Sequence, residues 1–102
     1  MVYSYRGIFL PMTPESVSRQ AIQVERVQTG VRIEKRMLKV LKALAELKDL
    51  TLGDLLEGIV LHAFENKTPF SKQTLSEIEQ IKKLYGMTLT AADSHCFVER
   101  EP

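Results

Sequence analysis

The sequence predicts a mainly α-helical fold in which one short strand precedes two core helices, with extra helices towards both ends. Three observations predict it. In residues 27–33, Val27, Thr29, Val31 and Ile33 alternate with Gln28, Gly30 and Arg32, a period of two that places the sets on opposite faces of an extended chain. Residues 35–48 and 52–64 then carry apolar side chains at three- and four-residue spacing, the mark of amphipathic helices. Between them, Thr51 is placed to cap a helix whose third residue is Asp54, and Leu50 can staple onto Leu55.

Taken in order, Tyr3, Tyr5, Ile8, Phe9 and Leu10 make an apolar N-terminal arm, which Pro11 and Pro14 separate from the rest of the chain. Thr13 can cap a short helix from Pro14 to about Gln23, with Pro14 at the first helical position and Glu15 favourably near its positive end. Its apolar residues Val17, Ala21 and Val24 are sparse, so it needs another surface to dock on. After the strand, a helix over Lys35 to Lys48 is expected from Met37, Leu38, Leu41, Leu44 and Ala45, with Val40 and Leu47 widening the apolar face. The next runs from Leu52 to Phe64 on Leu52, Leu55, Leu56, Ile59, Val60, Ala63 and Phe64. Leu61 lies off that stripe and suggests a second buried face.

Pro69 ends the following loop, because it has no N–H to donate and restricts the residue before it. Thr74 and Glu77 repeat the capping-box spacing, which predicts a further helix from about Leu75 to Tyr85, closed by Gly86. Its apolar side is Leu75, Ile78, Ile81 and Tyr85, extended by Leu84. Residues 87–90 read as extended, Thr90 as the cap of a turn through Ala91, Ala92 and Asp93, and the last residues as fraying. The organisation expected is an N-terminal arm with a short helix (1–25), a strand-helix-helix core (26–66), and a C-terminal helix and tail (67–102).

Composition bounds the class. The chain has 102 residues, 44% hydrophobic and 26% charged, ordinary for a globular domain. Its apolar runs are too short to cross a bilayer and its first residues lack the apolar core of a signal peptide, so a cytoplasmic protein with no membrane partner is expected. The lone cysteine, Cys96, has no intramolecular disulfide partner, which agrees with a reducing compartment. Net charge is only +1, but it is unevenly spread: residues 26–48 hold seven basic side chains against two acidic ones, a local +5, whereas residues 49–65 hold four acidic ones and no Lys or Arg. A local basic excess of this kind suits a polyanionic partner.

The alternating segment Val27 to Ile33, followed by a basic amphipathic helix, the Thr51 turn and a second amphipathic helix, resembles the ribbon-helix-helix family of DNA-binding proteins over roughly 40 residues. The resemblance implies a homodimer in which each protomer lends one strand to an antiparallel ribbon whose polar face enters the major groove of double-stranded DNA. It implies base contacts from Gln28, Gly30 and Arg32, and a phosphate clamp at the turn of Thr51, Leu52 and Gly53. Chemistry agrees: Arg can pair with guanine and Gln with adenine. Gly30 permits close backbone approach. Lys35, Arg36 and Lys39 suit phosphate, and free amides at a helix start suit an anion. Burial of Val27, Val31, Ile33, Leu41, Leu44, Leu55, Leu56, Ile59 and Val60 is expected to hold the dimer together, since a strand and two helices make a core near the lower limit of self-sufficiency.

The function expected is therefore a homodimeric, sequence-specific DNA-binding protein that acts as a transcriptional regulator. Two alternatives stay open: an antitoxin-like or adaptor dimer that grips a protein partner through its terminal extensions, and a structural dimer without DNA binding. No catalytic role is expected, because Asp93, Ser94, His95 and Cys96 are sequence neighbours and do not converge as a triad does. No metal and no cofactor are expected either: His62, His95 and Cys96 lack paired ligand spacing, and no glycine-rich phosphate loop is present.

Overall fold

Glu34 opens the first helix. In the computed structural model, which describes residues 21–100, its carboxylate Oε1 accepts the N–H of Met37 at 2.7 Å, satisfying one of the donors that a helix start leaves without a partner. Helix α1 (Lys35–Leu47) comes next. Helix α2 (Leu52–Phe64) starts as the sequence predicts, with Thr51 Oγ1 accepting the N–H of Asp54 at 3.0 Å. Helix α3 (Lys72–Tyr85) and a single 3-10 turn (Ala91–Asp93) complete the described elements.

The three helices end alike. Asp49 (φ 58°), Asn66 (φ 57°) and Gly86 (φ 64°) are left-handed, and Leu50, Lys67 and Met87 return their N–H groups to Ala45, His62 and Lys82 at 2.8–2.9 Å. This is the hydrogen bond that closes a helix whose next residue turns left-handed. Asp and Asn tolerate that conformation better than other side-chain-bearing residues, so each does at α1 and α2 what Gly86 does at α3.

Leu44, Ala45 and Leu55 form the core, packed by Leu41, Leu50, Ile59, Phe70, Ile78 and Ile81. Leu44 and Leu55 each contribute ~1.5–3 kcal/mol by leaving water. Helix α1 touches both others. Lys48, past the end of α1, pairs with Glu77 in the first half of α3 at 2.8 Å, while Arg36, at the start of α1, donates from Nη1 to the carbonyl of Gly86 at 2.7 Å. The two helices therefore run antiparallel.

Three expectations need correction. The fold is helical, and no strand or sheet occurs among the described residues, so the ribbon-helix-helix dimer fold, which needs one strand from each protomer, is not what this chain adopts. The alternation in residues 27–33 is real, but a strand exists only where a neighbour completes its ladder. Here residues 21–34 are irregular, and Val27 and Val31 remain exposed beside Gln28 and Gly30. Secondly, α3 begins at Lys72 rather than Leu75. Ser71 Oγ accepts the N–H of Thr74 at 3.1 Å, and Thr74, expected as the cap, is a buried residue inside the helix. Thirdly, Leu61, expected to mark a second buried face, is exposed, and so are Val60 and Phe64, expected on the buried stripe of α2. The helix expected from Pro14 to Gln23 lies outside the described residues except for positions 21–23, which are not helical, and the N-terminal arm lies wholly outside them.

Candidate nucleic-acid interface

Gln28, Gly30 and Arg32, the residues expected to read bases, are exposed on the irregular segment that leads into α1. A Cβ on Gly30 would meet nothing within 4 Å, and its φ is not in the left-handed region, so neither space nor backbone strain demands glycine there. Arg32 is not free: its Nε donates to Glu99 Oε1 at 3.1 Å and its Nη2 pairs with Glu99 Oε2. The C-terminal tail thus lies over the residue best suited to read a base.

On α1, Lys35, Lys39 and Lys42 fall at i, i+4 and i+7, one exposed helical face. Among the described residues none of the three makes an ion pair. Lys39 Nζ instead stands 5.9 Å from the centre of the Tyr85 ring, within reach of a cation–π attraction. Arg36 is committed elsewhere, bonded to Gly86 and paired with Glu34 at 3.4 Å. The amide hydrogen bond from Met37, joined by contacts from Arg36, holds the Glu34 carboxyl below the usual carboxylate range.

The Thr51 turn has a different character from the one expected. Leu52 and Gly53 occupy the first turn of α2, where N–H groups have no acceptor inside the helix. The side chains around them are acidic. Asp54 lies in that turn, and Glu57 is one turn further on. Arg26 bridges them, reaching Glu57 with Nε and Nη2 at 2.8 Å each and Asp54 with Nη2 at 3.6 Å. That forked guanidinium holds the Glu57 carboxyl below its ordinary range. Asp54, expected to complete a reciprocal capping box, faces Arg26 instead. Charge neighbouring the turn is therefore balanced by an arginine from the preceding segment rather than left open for phosphate.

Of the residues expected to hold a dimer, Leu44 and Leu55 are buried by α3 and Phe70 of the same chain. Ile33, Leu41, Leu56 and Ile59 are half-buried, whereas Val27, Val31 and Val60 are exposed. A groove of about 450 Å³ joins Val24 to Leu56, Val60 and Leu61, with Arg26 and Glu57 on its wall.

Elsewhere, Asp93 Oδ2 accepts the N–H of Thr90 at 2.8 Å, Cys96 Sγ lies 3.6 Å from the carbonyl of Ser94, and His62 Nδ1 is 2.7 Å from the carbonyl of Gly58. These side chains serve the local backbone. Among the described residues no three His, Cys, Asp or Glu groups gather as metal ligands would, and no helix is long and apolar enough to cross a membrane.

Sequence reasoning missed Arg26 as the partner of α2, because an arginine ahead of the alternating segment carries no local signal for a carboxylate 31 residues further on. No family model, curated protein or solved structure matches this chain.

Proposed function

We propose that this protein is a homodimeric DNA-binding protein, a transcriptional regulator, that engages the duplex through residues 27–33 and the exposed lysine face of α1. The observation that carries the reading is the row Lys35, Lys39, Lys42, free of ion pairs among the described residues and directly continuous with exposed Gln28 and Arg32. Seven residues of α-helix span about 10 Å, the distance covered by about three phosphates along one strand of B-DNA. Arg32 supplies the discriminating contact, worth roughly 1 to 3 kcal/mol at a guanine.

Dimerisation is supported by the apolar side chains that stand exposed among the described residues. Val24, Val27, Val60, Leu61 and Phe64 are 61%, 80%, 43%, 63% and 80% exposed. At ~1.5–3 kcal/mol per fully buried side chain, covering them contributes on the order of 5–10 kcal/mol from each protomer. Two such contributions exceed the middle of the ~4–15 kcal/mol cost of association.

Binding to random and genomic duplexes across a salt series tests the proposal. A log K against log salt slope of about −0.9 per phosphate contact is expected, made shallower by Lys39→Ala, with sequence preference relaxed by Arg32→Ala. Absence of binding at low salt would reject it. One observation favours a second reading, a protein partner gripped by the C-terminal region: Leu84, Phe97 and Val98 are 76%, 50% and 93% exposed. Co-purification of a stoichiometric partner that Phe97→Ser and Val98→Ser abolish would establish that reading instead.

A further inference from the structure

We infer that the cavity bordered by α1, α2 and Phe70 is a binding site for a small, neutral aromatic molecule that carries a hydroxyl or ring N–H donor. Leu55, Gly58, Ile59 and His62 recur at three and four residues along α2 and line the space together, with Leu44 of α1 and Phe70. The volume is about 280 Å³. An apolar cavity of about 150 Å³ already accepts benzene, so two fused rings fit here, and the Phe70 ring offers them an aromatic neighbour.

Gly58 marks the same wall. Glycine weakens a helix interior relative to alanine, yet nothing among the described residues requires it in the middle of α2: its φ is not left-handed, and a Cβ there would meet nothing within 4 Å. What the missing side chain provides is room in the cavity. The rim sets the charge of the occupant. Lys48 is paired with Glu77 at 2.8 Å and Asp54 with Arg26 at 3.6 Å, so each ion is already matched and the rim favours a neutral ligand over a charged one. The Thr74 hydroxyl is bonded to that of Ser71 at 3.1 Å. His62 differs. Its Nδ1 lies 2.7 Å from the Gly58 carbonyl, an oxygen that can only accept, so Nδ1 carries the hydrogen and Nε2 is an acceptor with no hydrogen bond among the described residues. A hydroxyl or ring N–H completes it.

The site is separate from the surface assigned to dimerisation. At about 100° per residue, Val60, Leu61 and Phe64 lie roughly 140–240° round α2 from Leu55, so the cavity stays open in a dimer formed through them. Indole serves as the probe, because the chain contains no tryptophan and indole emission is then unshared. Titrating the full chain into indole is expected to give a saturable blue shift with a dissociation constant of roughly 1 mM or below, the range open to a ligand of this size. Benzoate, an anion with as many heavy atoms, should bind at least about tenfold more weakly. His62→Phe should weaken indole about three- to tenfold, the loss of one hydrogen bond, and leave unchanged the binding of indene, the same bicycle without an N–H. Gly58→Leu, which fills the space, should weaken both by at least about tenfold. Helical circular dichroism checks its fold, and Gly58→Ala, which suits a helix better than glycine, should weaken both in the same direction by less. Absence of saturable indole binding up to about 5 mM, benzoate binding as tightly as indole, an equal effect of His62→Phe on indole and indene, or unchanged binding in both Gly58 variants overturns the inference. So does a loss that follows Leu61→Ala instead, which would put the probe in the groove on the other side of α2.

Discussion

Replacing Leu44 by alanine tests the packing on which every other feature depends. Leu44 is 2% exposed and lies where α1 meets Leu55 of α2 and Ile78 and Ile81 of α3. Large-to-small changes at such positions cost roughly 2.7 to 5 kcal/mol, the spread following how much empty volume remains. Here the side chain already borders a cavity of about 280 Å³, shared with Leu50, Leu55, Ile59 and Phe70 and edged by Lys48 and Asp54. The removed carbons would enlarge a space that water can reach, which limits the cavity penalty and puts the loss near the low end, about 3 kcal/mol. Against a total of roughly 5 to 15 kcal/mol for a domain, that is a large share. Urea unfolding followed by helical circular dichroism, at fixed protein concentration, should show the midpoint falling by about 2 M, for a slope of about 1.5 kcal/mol/M. Leu47→Ala, at a side chain 54% exposed and outside the surface assigned to dimerisation, should change stability by less than about 0.5 kcal/mol. A loss below about 1 kcal/mol for Leu44→Ala, or an equal loss in both variants, would mean the core is not where α1, α2 and α3 place it.

Particular contacts set three further outcomes. Ser71→Ala should lower thermal stability by the equivalent of about 1 kcal/mol, because Ser71 rather than Thr74 caps α3; no change on Ser71→Ala would return the cap to Thr74. The Glu34, Glu57 and Glu77 carboxyls are all held below their ordinary range, by the Met37 amide, by Arg26 and by Lys48 respectively. Since a depressed folded-state pKa favours folding above the unfolded value and loses that favour as pH falls through the folded one, melting temperature should be level from neutrality to about pH 5 and decline below the unfolded carboxylate range of about 4.3. Glu34→Gln should decline less steeply, and an identical acid limb in that variant would refute the cause. Finally, Glu99→Gln should raise DNA affinity two- to fivefold at low salt by uncovering Arg32, a modest gain because both side chains are well exposed. The gain should vanish in an Arg32→Ala background, and its persistence there would show that Glu99 acts elsewhere.

Local chemistry was legible residue by residue. The α2 boundaries, the Thr51 cap and the Gly86 terminus all arise from side chains and backbone groups bonding within a few positions of one another, and interactions of that range are written in the order of residues. Glu34 as the α1 cap and Asp49 and Asn66 as left-handed helix ends obey the same rules, yet were harder to see because each uses a residue type that does other things more often. The start of α3 was misplaced by three residues, since Ser71 and Thr74 both offer a hydroxyl at cap spacing and burial of Thr74 decided between them.

What the sequence by itself determined is where the three described helices lie, to within a turn, because hydrogen bonding and side-chain periodicity along one segment suffice to place them. Tertiary structure alone decided that α3 closes the core over Leu44 and Leu55, that residues 21–34 stay irregular instead of forming a strand, and that Arg26 turns toward the acids of α2. Each of those depends on groups far apart in the chain, whose meeting is set by packing free energy rather than by any local pattern. An alternating segment states only what a strand's faces would be; whether it becomes one depends on a neighbour for its backbone, and that neighbour is absent from the described chain.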